Sequence, residues 1–324
     1  MKTLTYIEAI SEALWEEMER DKNVFLLGED IGKYGGAFKV TKGFHEHFGE
    51  ERVIDTVLAE NAIIGAATGA AMMGMRPIAE IQFADFVSNG FNQLVNNSAK
   101  IFWRCNIPVP MVVRLPSGGG IHGGPYHSIN PEAWFFHIPG LKLVAPSTPY
   151  DAKGLLKSAI RDNNPILYFE SKFLYRRIKG EVPTNDYTVE IGKADIKRNG
   201  NDISIITYGT GVHWSLEAAK ILEEENIDVE VLDLRSLIPI DKEAIFSSVK
   251  KTGKILIVHE DTLTGGIGSE IAALISDNCF EFLDAPIKRI ASPDTPIPFA
   301  PTLEDHFLPN TKKVLSALKS LAKY

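Results

Sequence analysis

Three stretches of this chain carry residue types whose setting suggests chemistry. In "DTVLAENAIIGAATGAAMMGMRP", residues 55 to 77, Glu60 stands alone at the mouth of a run of small and apolar residues. A carboxylate there is either a helix-terminal group favoured by the dipole or an acid placed for proton transfer in dry surroundings. In "RLPSGGGIHGGPYHS", residues 114 to 128, five glycines and two prolines make an irregular loop after an apolar run, with His122 and His127 on it. Histidine titrates near neutrality, and ligand-handling groups gather on loops at the carboxyl ends of strands. In "KSAIRDNNP", residues 157 to 165, Pro165 stops a helix and leaves its last carbonyls unpaired at a negative end.

Other motifs are weaker. "YGTGVHW" at 208–214, with Asp233 closing the next apolar run, resembles half of a dinucleotide fingerprint and would suit a self-sufficient NAD-dependent dehydrogenase. Trp214 occupies the third glycine position, however, where a missing side chain lets helix and strand pack closely. A plain tight turn is the better reading, and the Gly-rich helix entry "TGGIGSE" at 264–270 is of the same kind. His45 and His47 lack the i, i+4 spacing of helical zinc ligands. Cys105 and Cys279 lie far apart in no metal-ligand spacing and read as reduced core residues of a cytosolic protein.

The elements that must position these groups follow from the apolar pattern. "NVFLLGED", "RPIAEIQF", "VPMVVRLP", "LKLVAPS" and "PILYFES" read as strands, with helices between them at about 61–74, 89–104 and 149–161. Ser147 or Thr148 caps the last of these, and Pro149 sits in its first turn. Residues 179–201 are polar, carry Gly and Pro and lack helical period, so they read as a linker. Alternation then restarts with "ISIITYGT", "DVEVLDLRS", "KILIVHED" and "PIKRIASPD". Continuous apolar strands separated by helices predict an α/β fold of two domains with mainly parallel sheets, residues 1–178 and 202–324.

Composition narrows the partners. A net charge of −8 argues against nucleic acid, which needs a basic surface. The driest run, residues 62 to 75, is shorter than the ~20 residues that span a bilayer. The first 21 residues repeat apolar positions at helical spacing and read as an amphipathic helix, not a signal peptide. No membrane partner is expected.

Seven ordered stretches, "LLGEDIG", "ERVIDTVLAENAIIGAATGAA", "RPIAEIQFADF", "YHSINPEA", "STPYDAKGLLKSAIRDNNP", "ESKFLYR" and "HEDTLTGGIGSE", are spread along the chain from residue 26 to residue 270. Together they resemble the beta chain of the thiamine-diphosphate-dependent 2-oxoacid dehydrogenases. The resemblance implies a pyrimidine-binding domain followed by a transketolase-type C-terminal domain. It implies that Glu60 contacts a ring nitrogen of the cofactor's aminopyrimidine, that Phe86 packs on that ring, and that His127 is the active-site histidine on this side. Glu29 of "GED" is implied to face the same site. Main-chain oxygens of Ala159, Ile160, Asp162 and Asn164, with Met111 from a neighbouring strand, are implied to hold potassium.

The family binds magnesium and diphosphate through a Gly-Asp-Gly motif, and no such triplet occurs here. The resemblance therefore implies half an active site, completed by an alpha chain in an α2β2 heterotetramer. "HEDTLTGGIGSE" and "ESKFLYR" lean towards a branched-chain 2-oxoacid of the 2-oxoisovalerate type, with pyruvate or acetoin as alternatives. The acyl group is expected to pass to the lipoyl group of a dihydrolipoyl acyltransferase. The expected location is the cytoplasm, or an organelle matrix once a transit peptide is removed.

Overall fold

The computed structural model describes residues 1–324 and divides the chain into two compact units. The first joins Met1–Ser117 with Trp134–Ile191, and the second joins Gly118–Ala133 with Gly192–Tyr324.

The first unit opens with strand β1 (Lys2–Thr5) and helix α1 (Tyr6–Arg20). Thr5 N–H donates to the Glu8 carboxylate at 2.7 Å, and Glu8 N–H donates to Thr5 Oγ1 at 3.3 Å. This reciprocal cap satisfies amides that a helix start leaves unpaired. Then follow β2 (Val24–Gly28), α2 (Phe44–Phe48), β3 (Val53–Asp55), α3 (Glu60–Met72) and β4 (Arg76–Glu80). After them come α4 (Ala99–Cys105), β5 (Val112–Ser117), α5 (Glu132–Phe136), β6 (Lys142–Val144), α6 (Pro149–Arg161), β7 (Ile166–Ser171) and β8 (Lys179–Val182).

Strands β2 to β7 of this unit run parallel in the order β6-β7-β5-β4-β2-β3. β2, β5 and β7 are buried along their whole length, as a sheet covered on both faces requires. The chain passes from β2 outward to β3, then recrosses to β4 on the other side of β2. The loops leaving these three strands therefore converge on a switch point, where open α/β sheets place ligands. α6 begins on its expected signal: Thr148 Oγ1 accepts the Asp151 N–H at 3.1 Å, with Pro149 beside it.

The second unit contains β9 (Asp195–Arg198), β10 (Ile203–Thr207), α7 (Thr210–Glu223), β11 (Val229–Asp233), β12 (Ser236–Ile238) and α8 (Lys242–Thr252). It ends with β13 (Ile255–Thr262), α9 (Ile267–Cys279), β14 (Lys288–Ser292), α10 (Pro301–Phe307) and α11 (Thr311–Leu321). Its sheet runs β14-β13-β10-β11-β9, parallel except for β9. Ile203, Val229, Leu256, Val314 and Leu318 lie in its core.

The structure departs from the sequence reading in four places. Residues 179–201, expected as a linker, supply β8, which pairs antiparallel with β1, and β9, which pairs with β11. Of the residues in these two strands only Val182 is buried, so no apolar run marked them. The helix expected at 89–104 begins as a 3-10 run, Ala84–Gly90, and a π-wound turn, Gln93–Ser98, before α4. Ser98 Oγ donates to the Gln93 carbonyl at 3.0 Å and bonds Thr68 Oγ1 at 2.8 Å, which holds the wider turn against α3. The Gly-rich loop groups with the second unit, although it leaves a strand of the first. Cys279 is a buried free thiol as expected, but Cys105 is exposed. No helix is long and apolar enough to cross a membrane.

Candidate active site

Glu29 follows β2, Glu60 opens α3 beyond β3, and Phe86 follows β4, so all three stand at the switch point of the first sheet. Glu60 is half-buried and caps nothing: α3 has no side-chain cap, and the carboxylate instead accepts from Asn89 Nδ2 at 3.3 Å. Asn89 reaches it because the next residue, Gly90, presses on α3. A Cβ at Gly90 would lie 2.2 Å from Ile64 Cδ1 and 3.3 Å from the Glu60 carbonyl. Phe86 is half-buried in the same 3-10 run.

Glu29 is 7% exposed, and its Oε1 is buried without a hydrogen-bond partner. Burial first, and then the charges of Glu60, Asp30 and Glu80, push its carboxyl up to about 7. Two carboxylates that feel one another, one of them holding its proton near neutrality, make an acid pair suited to a basic heteroaromatic ligand. That orphaned oxygen is the structural sign that the residues fit the aminopyrimidine of thiamine diphosphate.

Behind the pair lies a buried ionic group that sequence reading missed. Arg114 on β5 is 1% exposed and bonds Glu170 of β7 through Nε at 2.7 Å and Nη2 at 2.8 Å. It also pairs with Glu80 of β4, its register partner. Burial raises the Glu80 carboxyl in spite of Arg114, and Tyr175 donates to Glu170 Oε2 at 2.7 Å. The available signal was a charged residue set among apolar ones in each of three strands, since buried charges must find partners.

In the second unit His127 is half-buried and its N–H donates to the Gly124 carbonyl at 3.2 Å. His122 is exposed, with φ at +60°, and its Nδ1 lies 2.5 Å from the Glu304 carboxylate. Deeper in this unit Glu132 accepts from Tyr208 at 2.9 Å, and burial drives both Glu132 and Asp261 upward. His259 has no exposed surface, and burial pushes its imidazole down to about 4, so it packs as a neutral ring. The "YGTG" stretch is a tight turn: the Gly211 N–H donates to the Tyr208 carbonyl at 3.1 Å, a Cβ on Gly211 would lie 2.2 Å from Thr207 Oγ1, and Asp233 is fully buried.

The turn at 159–164 lies at the opposite, amino-terminal end of the first sheet, before β7, and Met111 directly precedes β5. The carbonyls of Ala159, Ile160, Asp162 and Met111 each accept a hydrogen bond. Arg76 Nη1 donates to Ile160 O at 2.8 Å and Asp162 O at 2.9 Å. Ala159 O accepts the Asp162 N–H at 3.3 Å, and Met111 O accepts the Ile166 N–H at 2.9 Å. Asn164 is tied to the Asp162 side chain, donating its N–H at 2.8 Å. No group of three or more His, Cys, Asp or Glu side chains is arranged to hold a metal ion.

Comparison with known proteins identifies both halves of the chain. The transketolase pyrimidine-binding domain matches residues 2–177, and the transketolase C-terminal domain matches residues 192–314. The chain is 57% identical, over the full length of both, to a 2-oxoisovalerate dehydrogenase subunit beta of Bacillus subtilis. It is 45% identical to a pyruvate dehydrogenase E1 component subunit beta of the same organism, again over both full lengths. It is also 45% identical to that organism's acetoin:2,6-dichlorophenolindophenol oxidoreductase subunit beta, covering 99% of this chain and 97% of the relative. Among solved structures, a split-gene transketolase described as an inactive beta4 tetramer superposes with a TM-score of 0.81 over 99% of this chain and 98% of its own. At 24% identity that likeness speaks for the fold.

Proposed function

The chain belongs to the family of 2-oxoacid dehydrogenase beta subunits, built from transketolase-type pyrimidine-binding and C-terminal domains, and on that premise we propose its reaction. With an alpha subunit in an α2β2 heterotetramer it decarboxylates a branched-chain 2-oxoacid of the 2-oxoisovalerate type. It then reductively acylates the lipoyl group of a dihydrolipoyl acyltransferase. The observation that carries the reading is Glu60: a half-buried carboxylate that caps no helix, beside the buried, upshifted Glu29. The substrate class rests on 57% identity to the 2-oxoisovalerate enzyme's beta subunit, against 45% for the pyruvate and acetoin relatives.

Thiamine diphosphate, when bound, supplies a carbon nucleophile for the keto group and a sink for the electron pair that carbon dioxide leaves behind. Glu60 holds and returns a proton at a ring nitrogen of the aminopyrimidine, and Phe86 packs on the ring face without the hydroxyl a tyrosine would bring. Glu29, protonated near neutrality, keeps the neighbourhood from accumulating a second full charge. His127 serves the later step, as the acid that protonates a dithiolane sulfur while the acyl group is transferred. Diphosphate and magnesium are assigned to the alpha chain, because the Gly-Asp-Gly signature is missing from this sequence. Potassium at the 159–164 turn would use, at Ala159, Ile160, Asp162 and Met111, the second lone pairs of carbonyls that already accept hydrogen bonds. The cytoplasm is the location that suits this partnership.

The deciding experiment co-expresses the chain with an alpha subunit and offers a panel of 2-oxoacids with an artificial electron acceptor. Turnover should require both chains and favour 2-oxoisovalerate. Turnover by this chain alone sinks the half-site reading, and a preference for pyruvate transfers the assignment to the second class of relatives.

A further inference from the structure

The Gly-rich loop that carries His127 is fastened from below. Glu304 of α10, which has no exposed surface, turns its carboxylate into the loop. Oε1 accepts the Gly120 N–H at 3.0 Å, Oε2 accepts the His122 N–H at 3.1 Å, and Oε2 also meets His122 Nδ1 at 2.5 Å. Glu260 of β13 accepts the Gly119 N–H at 2.6 Å. Amides of residues 119, 120 and 122 thus end on two carboxylates, and bonds to an ionised acceptor are the stronger kind.

The backbone conformation depends on this seat. Gly120 has φ at +76° and His122 at +60°, a region that a residue with a side chain enters only when its surroundings hold it there. A Cβ on Gly119 would lie 2.8 Å from Ile297 and 3.1 Å from Leu308, so the loop is also pressed onto an apolar cluster.

The fastening continues to His127. A Cβ on Gly123 would lie 2.9 Å from His127 Cβ and 3.0 Å from its carbonyl oxygen, so the residue after His122 is packed against His127 itself. Gly124 accepts the His127 N–H, and Phe299, just ahead of α10, packs against Gly124, where a Cβ would lie 3.0 Å from its ring. One short segment, Phe299 to Glu304, therefore touches the loop on both sides of Gly123.

We infer that Glu304 is a positioning residue: its carboxylate holds loop 119–124 so that His127 is presented correctly to the incoming lipoyl group. This rests on the acyl-transfer role proposed above for His127. A glutamine at 304 keeps one acceptor oxygen and loses both the charge and the second acceptor, so the loop loosens while the fold of α10 remains.

The test uses the assembled tetramer with thiamine diphosphate and magnesium, comparing wild type, Glu304→Gln, His127→Ala and the double variant. Decarboxylation with an artificial electron acceptor and reductive acylation of a free lipoyl domain are measured separately. Glu304→Gln should keep decarboxylation within about twofold and lose about 10-fold to 100-fold in lipoyl acylation, the scale of a misplaced catalytic group. Hydrogen exchange should speed up at the amides of residues 119, 120 and 122. On the His127→Ala background the same change should cost nothing further in acylation, because a residue acting through His127 has nothing left to position. Additive losses, or equal losses in both assays, overturn the inference. If Glu304→Gln does not assemble, His122→Asn removes only the imidazole contact and tolerates the left-handed backbone. It must then show the same selective loss at smaller size, and an equal effect on both assays counts against the inference. A wild-type tetramer that decarboxylates no 2-oxoacid overturns the functional reading itself, whereas an active wild type with additive losses overturns the role of Glu304 alone.

Discussion

At the scale of single residues, Glu60 and Glu29 behave as one unit. The charge on Glu60 is the second cause, after burial, of the raised Glu29 carboxyl. Glu60→Gln should therefore lower the Glu29 pKa from about 7, measurable in the isolated chain by pH-difference infrared spectroscopy against a Glu29→Gln reference. The sign also fixes a stability effect. The folded Glu29 keeps its proton above the ordinary 4.5, so its contribution is full below that value and is lost as pH rises through about 7. Glu29→Gln removes that loss. In the assembled enzyme Glu60→Gln should leave the melting temperature nearly unchanged, because the side chain caps nothing. Decarboxylation should fall about 10²–10⁴-fold. A stability loss of about 1 kcal/mol with normal turnover would restore the capping interpretation. Glu60 stood out in the sequence as an acid opening an apolar, Gly-rich helix, while its role as a proton-handling acid came from the family resemblance. Asn89 and Gly90 did not stand out, since their closeness to Glu60 arises only when the 3-10 run folds onto α3.

At the scale of elements, long apolar strands and capped helices were readable, and short edge pieces were not. β3 has three residues and β8 alternates toward solvent, so neither carries enough apolar signal to separate it from loop. Charged residues inside strands were read past as well. Arg114, Glu80 and Glu170 tie three adjacent strands behind the acid pair, and only the register of the sheet reveals that they meet. The turn ending α6 is a different case, legible in position but not in occupancy. Its proline stop and free carbonyls were predicted, whereas the arrival of Arg76 from β4 was not. A guanidinium already on two carbonyls makes potassium binding a sharp question. If the ion uses the remaining lone pairs, the assembled enzyme should melt higher in potassium than in a bulky organic cation at matched ionic strength. A ligand at 100 times its Kd stabilises by about 2.7 kcal/mol. Identical melting in the two salts would mean that Arg76 is the turn's cation on its own.

At the scale of the whole molecule, the first unit leaves large apolar side chains in solvent around α3 and α4. Val57, Leu58 and Met73 are 78%, 83% and 84% exposed, and Trp103 is 94% exposed. The small residues Gly65, Ala66 and Gly69 of α3 also face outward, and beyond its own turn of helix a Cβ placed on Gly69 would meet nothing within 4 Å. At Gly69 the helix therefore accepts the propensity cost of a glycine without a neighbouring element of its own chain to repay it. Single exposed apolar residues need no explanation, but this set of side chains at the two ends of α3 and on α4 suits surfaces covered in an assembly. The proposed tetramer supplies the cover. Trp103 should then move from solvent to a buried setting when alpha chain is added. Its emission should shift to shorter wavelength, with a Trp103→Phe variant identifying the signal among the four tryptophans. Trp103→Ala should weaken assembly by about 2 kcal/mol or more if the indole is a central anchor. Read by sedimentation, that is a loss of tetramer at concentrations where wild type is fully assembled. At concentrations high enough to restore the tetramer, decarboxylation per site should return to the wild-type rate, because the indole contributes to association and not to chemistry. An emission spectrum unchanged on adding alpha chain, together with normal assembly of Trp103→Ala, would place the subunit contact on another face.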